Sequence, residues 1–158
     1  MPASCRRRVK LSASSSDVVP ESERLDRKID LVRPALRAAG ARLFDVPEMP
    51  ERYVEYLVLC HGVVRASVPL MRTALHRAAE LAPGDAVARA LTGYLPGHIE
   101  EELGHDTWLL EDLAFLGVAA GDVLRRPPSA PVAALVGAQY YWVLHHHPVA
   151  LLGYMLVL

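Results

Sequence analysis

Apolar residues recur every three or four positions over most of the chain, and no stretch alternates regularly between apolar and polar residues. The first spacing puts apolar side chains on one face of an α-helix, whereas alternation is typical of a β-strand. Short connections between the helices favour antiparallel neighbours. The pattern therefore predicts an all-α bundle of four or five helices. The main helical segments are predicted at residues 21–42, 51–80, 85–116 and 132–158.

Prolines and glycines predict where these helices bend or end. Pro69 and Pro148 should kink their helices, and Pro96 should interrupt the third helix near residues 93–97, because proline removes a backbone hydrogen bond and crowds the preceding turn. Asp85 is a suitable N-cap for the third helix, and Gly117 suits the position just after the end of that helix.

The first 20 residues differ in composition from the rest of the chain. They are rich in serine, carry the basic run Arg6–Arg8, and have no acidic residue before Asp17 and no apolar run like that of a secretory signal. An organelle-targeting segment is an alternative, but this composition is more typical of a disordered terminus. We therefore expect a disordered leader at residues 1–20 and the N-terminal part of one helical-bundle domain at residues 21–158.

The overall composition indicates which classes of protein this chain resembles and which partners are not expected. Hydrophobic residues make up 52% and charged residues 22% of the 158 positions, which predicts a folded globule. A net charge of −1 offers no basic footprint, so nucleic acid is not an expected partner. Two cysteines, one of them in the leader, do not form a disulfide framework, and the cytoplasm is the expected location.

The segment after Arg126 contains no Asp, Glu, Lys or Arg, and it is long enough to cross a bilayer. Gln139 and the triplet His145–His147 lie near its middle, where polar groups are costly in lipid. A helix that is apolar all round can also be the central helix of a soluble bundle, which is the interpretation that we favour.

The residues most typical of a chemical site lie between positions 98 and 105. At 100° per residue, His98, Glu102 and His105 share one helix face, and Glu101 lies at its edge. The Glu-x-x-His spacing is the one by which helical bundles present a carboxylate and an imidazole to one iron ion. Three successive glutamates also occur on solvated helix faces, so this segment alone leaves a metal-free interpretation open.

The remaining histidines are weaker candidates. Three successive imidazoles at His145, His146 and His147 spread over a wide arc of a helix, so at most two can share a partner. They either cap backbone groups and face water at the kink, or one of them lines a polar cavity. His61 and His76 are expected to be packed or surface histidines.

Three segments in the same order resemble the iron-containing redox enzymes that have a haem-oxygenase-like fold. They are residues 98–110, which include Glu102 and His105, residues 65–71, and residues 140–154, which contain a Tyr-Tyr-Trp and a His-Pro motif. The similarity extends over about residues 50–158.

The resemblance implies a haem-oxygenase-like helical bundle and a non-haem iron centre, usually of two irons, that activates O2 and oxidises a small organic molecule. By position, Glu102 and His105 match the first two metal ligands, and Glu101 is a close alternative. His98 stands where some of these enzymes have a carboxylate ligand, so an imidazole there departs from the family pattern.

A larger departure concerns the ligands that follow. In these enzymes a ligand glutamate comes directly after the segment that ends here at Leu158, and a later helix supplies His, Asp and His at intervals of four and three. We therefore expect a bundle that is incomplete at the C-terminus, inactive as it stands, and prone to form homodimers or aggregates through the apolar face of residues 132–158. The alternatives are a metal-free helical interaction protein and a membrane-associated helical protein.

Overall fold

The computed structural model describes residues 19–44, 47 and 49–156. These residues contain helices and no strand, which confirms the all-α class, while the haem-oxygenase-like arrangement remains a prediction. The predicted leader lies outside the described residues except for its last two positions. The helices of the described part are α1 (Glu21–Phe44), α2 (Met49–Leu81), α3 (Ala86–Glu102), α4 (His105–Phe115), α5 (Ala120–Arg125), α6 (Ala130–His145) and α7 (Ala150–Met155).

The chain divides into two compact units, residues 1–39 and 40–158. The first unit contains most of α1, whose bounds agree with the prediction to within two residues. No residue of α1 is buried, and its apolar stripe includes Leu31, which is 81% exposed. Exposed ion pairs one turn apart, such as Arg24–Glu21 and Arg33–Asp30, support this helix. Each such pair contributes only a few tenths of a kcal/mol.

The second unit is built around α2. Its larger core packs α2 against α3, α6 and α7, and Leu70, Leu95 and Leu151 are almost completely buried there. A smaller core joins α2 to α4 and α5 through Leu57, Leu113 and Val123. Burying one such leucine fully contributes about 1.5–3 kcal/mol, so the packing of α2 supplies much of the stability of this unit.

The helices were expected to be mostly antiparallel, and the neighbours of α2 run in both directions. The tight turn at residues 82–85 reverses the chain, so α3 runs antiparallel to α2. Residue 126 pairs with residue 55, and Gly62 packs against Val132, so α6 runs alongside α2 in the same direction. The intervening α3, α4 and α5 provide the longer connection that this parallel pairing requires.

The expected interruption of the third helix at residues 93–97 is wrong. α3 continues through Pro96, because Leu91, Leu95 and Ile99 on both sides of the proline are buried, and this packing outweighs one lost hydrogen bond. The break comes instead at Leu103 and Gly104, where Gly104 has φ +89°. Glycine adopts this left-handed conformation readily, and it often follows the end of a helix.

Other local expectations are confirmed. The Asp85 carboxylate accepts hydrogen bonds from the backbone N–H groups of Val87 and Ala88 at 2.8 and 2.9 Å, as an N-cap should. Gly117 has φ +84° just after α4. The final predicted helix is broken rather than kinked, because α6 ends at His145, where His146 leaves the helical conformation, and α7 begins only at Ala150.

Among the described residues, one helix is long and apolar enough to cross a membrane. It is the stretch Glu51–Leu81 of α2, with a mean hydropathy of 1.3 in its most apolar window, of which 22% is buried. Central helices of bundles have the same length and composition. The charge-free C-terminal segment instead forms two shorter helices, α6 and α7.

Candidate functional site

The Glu-x-x-His pair lies at a junction between two helices rather than on one continuous helix. Glu102 is the last residue of α3, and His105 is the first residue of α4. The left-handed Gly104 turns the chain between them, yet the two side chains remain in contact, with Glu102 Oε2 3.2 Å from His105 Nδ1. Both side chains are about one-third exposed. The structure therefore brings the two principal candidates together, although not by the predicted helical arc.

The other two candidates join the same group of contacts. His98 Nδ1 lies 3.2 Å from Glu101 Oε2, and His98 Nε2 lies 4.0 Å from Glu102 Oε1. Glu102 thus stands between two imidazoles, whereas Glu101 is 74% exposed and contacts His98 alone within this group. We call these four residues (His98, Glu101, Glu102 and His105) the Glu102 cluster.

The geometry of this cluster fits a metal ion in part. Two ligands about 2.1 Å from one ion, at a right angle, lie roughly 3 Å apart, close to the Glu102–His105 separation. Carboxylate oxygen and imidazole nitrogen are donors that suit iron. Within the described part of the chain, however, no group of three or more His, Cys, Asp or Glu side chains is arranged to hold a metal ion. Glu102 and His105 therefore fit as a pair of donors and not as a complete ligand set.

A cavity of about 250 Å³ adjoins the cluster. Its wall combines His98 and Glu102 of α3 with Ser67 of α2 and Tyr154 of α7. Tyr154 Oη is buried and has no hydrogen-bond partner among the described residues. Burial raises the pKa of this phenol, and the nearby Ser67 hydroxyl offsets that rise only in part, so Tyr154 keeps its proton at neutral pH.

The histidine triplet separates into different surroundings, which agrees with the expectation that at most two could share a partner. His147 Nε2 lies 3.3 Å from Asp85 Oδ2, and His147 Nδ1 accepts a hydrogen bond from the backbone N–H of Val149. His145 and His146 are exposed and pack against the rings of Tyr141 and Trp142.

His147 and Asp85 together connect the α6–α7 segment to the start of α3. The backbone N–H of Ala88, followed by that of Val87 and by His147, lowers the pKa of Asp85. His76 is exposed and pairs with Glu80 on its own helix, as expected for a surface histidine. These contacts serve helix ends and surfaces, and they do not extend the Glu102 cluster.

His61 is the polar residue whose role the sequence did not predict. It is 2% exposed, which confirms that it is packed, but its Nε2 atom has no hydrogen-bond partner in the described chain. Burial lowers the pKa of His61, while Asp106 acts in the opposite direction and Arg65 reinforces the lowering. The imidazole is therefore neutral at physiological pH.

His61 lines a second cavity, of about 630 Å³, between α2 and α6. The sequence signal for this cavity is the occurrence of small residues four positions apart on both helices. They are Gly62 and Ala66 on α2, and Ala133 and Gly137 on α6. Such residues leave space only where the two helices face each other, which the sequence alone does not reveal.

Comparison with known proteins gives no match. No protein-family model, no curated protein and no solved structure is significantly similar to this chain.

Proposed function

We propose that this chain carries part of a non-haem iron centre of an oxidoreductase that activates O2 and acts on a small organic molecule. The observation that carries the proposal is the 3.2 Å contact between Glu102 and His105 at the α3–α4 junction, beside a cavity. The donor types, their separation and the motif resemblance all support the same assignment. The haem-oxygenase-like bundle and the cytoplasmic location are parts of this proposal.

The residues of the cluster have distinct roles in this proposal. Glu102 and His105 provide the two donors. His98 Nε2 lies 4.0 Å from the other oxygen of Glu102, and we assign it the role of a positioning residue for that carboxylate. Glu101 is the weaker ligand candidate, because its side chain is largely in solvent and contacts His98 instead of His105.

The adjoining cavity is the place that we propose for the organic substrate. At about 250 Å³ it admits a small molecule next to Glu102. Protonated Tyr154 can donate a hydrogen bond to a polar group of that molecule, and the apolar side chains of Met71 and Leu151 exclude water from it. Iron bound at the cluster would supply the activation of O2 that the resemblance implies.

Iron retention by the 158-residue chain tests the proposal. After anaerobic dialysis against Fe²⁺, elemental analysis should find iron in the wild type and sharply less in Glu102→Ala and His105→Ala, because each change removes one of two donors. Glu100→Ala is the matched control, since Glu100 is an exposed glutamate on the opposite side of α3. Binding should be weak, as two protein donors leave most of the coordination sphere to water. Equal iron content in all four proteins would rule out the assignment.

A metal-free helical interaction protein is the second candidate. It is favoured by large aromatic side chains that lie on the surface of α4 and α6, including Phe115 at 92% exposure and Trp108 and Tyr141 at about 60%. Exposed apolar groups of this size often mark protein interfaces. Iron content that is unaffected by Glu102→Ala, together with concentration-dependent self-association of the chain, would favour this candidate over the first.

A further inference from the structure

The cavity between α2 and α6 has space because small side chains face each other there. A Cβ atom added at Gly62 would come within 3.2 Å of Val132 Cγ1, so the two helices approach closely at that point. A Cβ atom added at Gly137, which also lines the cavity, would meet nothing within 4 Å. The resulting volume of about 630 Å³ lies within the range of ligand pockets, about 300–1,000 Å³.

Two unpaired polar atoms belong to residues that line this cavity. His61 Nε2 and Ser129 Oγ are both buried, and neither has a hydrogen-bond partner among the described residues. The His61 side chain is almost completely buried. Buried polar atoms normally have a partner, and leaving one without a partner is unfavourable. A ligand with hydrogen-bonding groups at these positions would remove that cost.

The charged residues along the wall leave one positive charge uncompensated. Arg126 donates to both carboxylate oxygens of Glu55, at 3.0 and 3.3 Å, so these two charges neutralise each other. Arg65 is exposed and has no ion pair in the described part of the chain, and it lies one helical turn after His61 on the same face of α2. Asp106 acts on His61 but does not line the cavity, and His61 itself is neutral. Arg65 is therefore the lining residue whose charge has no paired partner among the described residues.

We propose that this cavity binds a small organic monoanion with a compact apolar body. The carboxylate of the ligand pairs with the Arg65 guanidinium. Its apolar body lies against Val58, Val132 and Val136, which line the interior. A hydrogen bond to His61 Nε2 or Ser129 Oγ fixes its orientation. This site is separate from the Glu102 cluster and does not depend on the iron proposal.

Isothermal titration of the 158-residue chain with 2-naphthoate tests the proposal. This probe combines one carboxylate with a rigid apolar body that loses little conformational entropy on binding. We expect saturable one-to-one binding with Kd below about 1 mM, and binding at least about tenfold weaker for 2-naphthylmethylammonium. Arg65→Gln should weaken 2-naphthoate by about tenfold and leave neutral 2-naphthalenemethanol unchanged, because only the ion pair is lost.

A steric variant locates the binding within the cavity. Gly137→Leu places a side chain in the open space and should weaken 2-naphthoate by at least about tenfold. Gly93→Leu is the matched control, since Gly93 is also a helical glycine with no atom within 4 Å of an added Cβ, and it does not line this cavity. It should leave the affinity unchanged. Circular dichroism verifies that both variants keep their helices. If Gly137→Leu does not fold, the affinity of Arg65→Gln for 2-naphthoate decides the test.

Three results would overturn the proposal. They are the absence of saturable 2-naphthoate binding, equal affinity for the naphthyl anion and cation, and equal weakening by the two leucine substitutions.

Discussion

The two sides of α2 are packed by different kinds of side chain. Towards α3 and α7, core side chains such as Leu70, Leu95 and Leu151 are almost completely buried, and the cavity on this side measures only about 250 Å³. Towards α6, small residues such as Gly62 and Gly137 line a cavity of about 630 Å³. The residues of the Glu102 cluster pair with one another near the surface. His61 Nε2 beside the larger cavity and Tyr154 Oη beside the smaller one are both buried without a partner among the described residues.

This difference in packing should make the two sides of α2 contribute unequally to stability. Dense packing with paired polar groups contributes most to the free energy of unfolding. Loose packing with unpaired polar groups gives up part of that contribution and leaves room for a ligand. Substitutions on the α3 side of α2 should therefore affect stability strongly, and substitutions on the α6 side should affect it weakly.

The largest difference in the free energy of unfolding is expected between substitutions of two leucines, one on each side of α2. Leu95→Ala should lower the free energy of unfolding by about 2–5 kcal/mol, because it leaves a cavity in a filled core. Leu59 lines the open cavity and is 41% exposed, so Leu59→Ala should cost less than about 1 kcal/mol. Urea unfolding of both variants measures the difference. Equal losses would contradict the contrast between the two sides.

Substitutions of Asp85 measure how much its polar contacts contribute to the stability of the densely packed side. Asp85→Ala should destabilise the fold by less than Leu95→Ala does, because it removes the N-cap of α3 and the contact with His147. Asp85→Asn keeps the cap and should be milder. The lowered pKa of Asp85 stabilises the folded state above about pH 4, and this contribution is lost as pH falls through the folded-state pKa. Urea unfolding at pH 7 and pH 3 should show a larger loss of stability in the wild type than in the two variants, which keep the contributions of His61 and Glu80.

Adding one methyl group at each of two glycines compares how closely α2 and α6 approach at two points. Gly137→Ala should raise the free energy of unfolding by about 0.5–1 kcal/mol, since alanine favours the helix and its Cβ has open space. Gly62→Ala should give no such gain, because its Cβ would lie 3.2 Å from the buried Val132 side chain. Equal gains in thermal unfolding would show that α2 and α6 are no closer at Gly62 than at Gly137.

The effect of His61 on the free energy of unfolding should be the smallest, and it should be measurable only at acid pH. Burial holds the folded-state pKa of His61 below its ordinary value of 6.5. As pH falls below 6.5, the unfolded chain takes up a proton first, so stability decreases until the folded-state pKa is reached. Unfolding measured at pH 8 and pH 5 should show this loss in the wild type and a smaller one in His61→Gln. An identical pH dependence would mean that His61 is not buried in solution.

The sequence predicts the local features of this fold better than it predicts the contacts between helices. The bounds of α1 and α2, the Asp85 cap and the turn at Gly117 follow from periodicity and local backbone chemistry, and all are confirmed. The expected break near Pro96 is wrong because burial of Leu91 and Leu95 depends on tertiary packing. Local spacing placed Glu102 near His105, since residues three apart stay close even across a helix junction.

The cavity between α2 and α6 could not be predicted for the same reason. Its existence depends on which helix lies beside α2 and in which direction that helix runs. The parallel pairing of α6 with α2 is a property of the whole bundle, and small residues such as Gly62 and Gly137 are also common where helices have no cavity between them. The buried state of His61 follows from that pairing and not from its own neighbours in sequence.

In our proposal the Glu102 cluster, and no other group of histidines in the chain, binds a metal ion. Mn²⁺ added in small amounts to the isotope-labelled chain tests it most directly, because this ion broadens the NMR signals of nearby nuclei even when binding is weak. We predict that the imidazole signals of His105 and His98 broaden first, that this broadening disappears in Glu102→Ala, and that it persists in Glu100→Ala. Broadening that begins at His145 and His146, or that is unchanged in Glu102→Ala, would contradict the account.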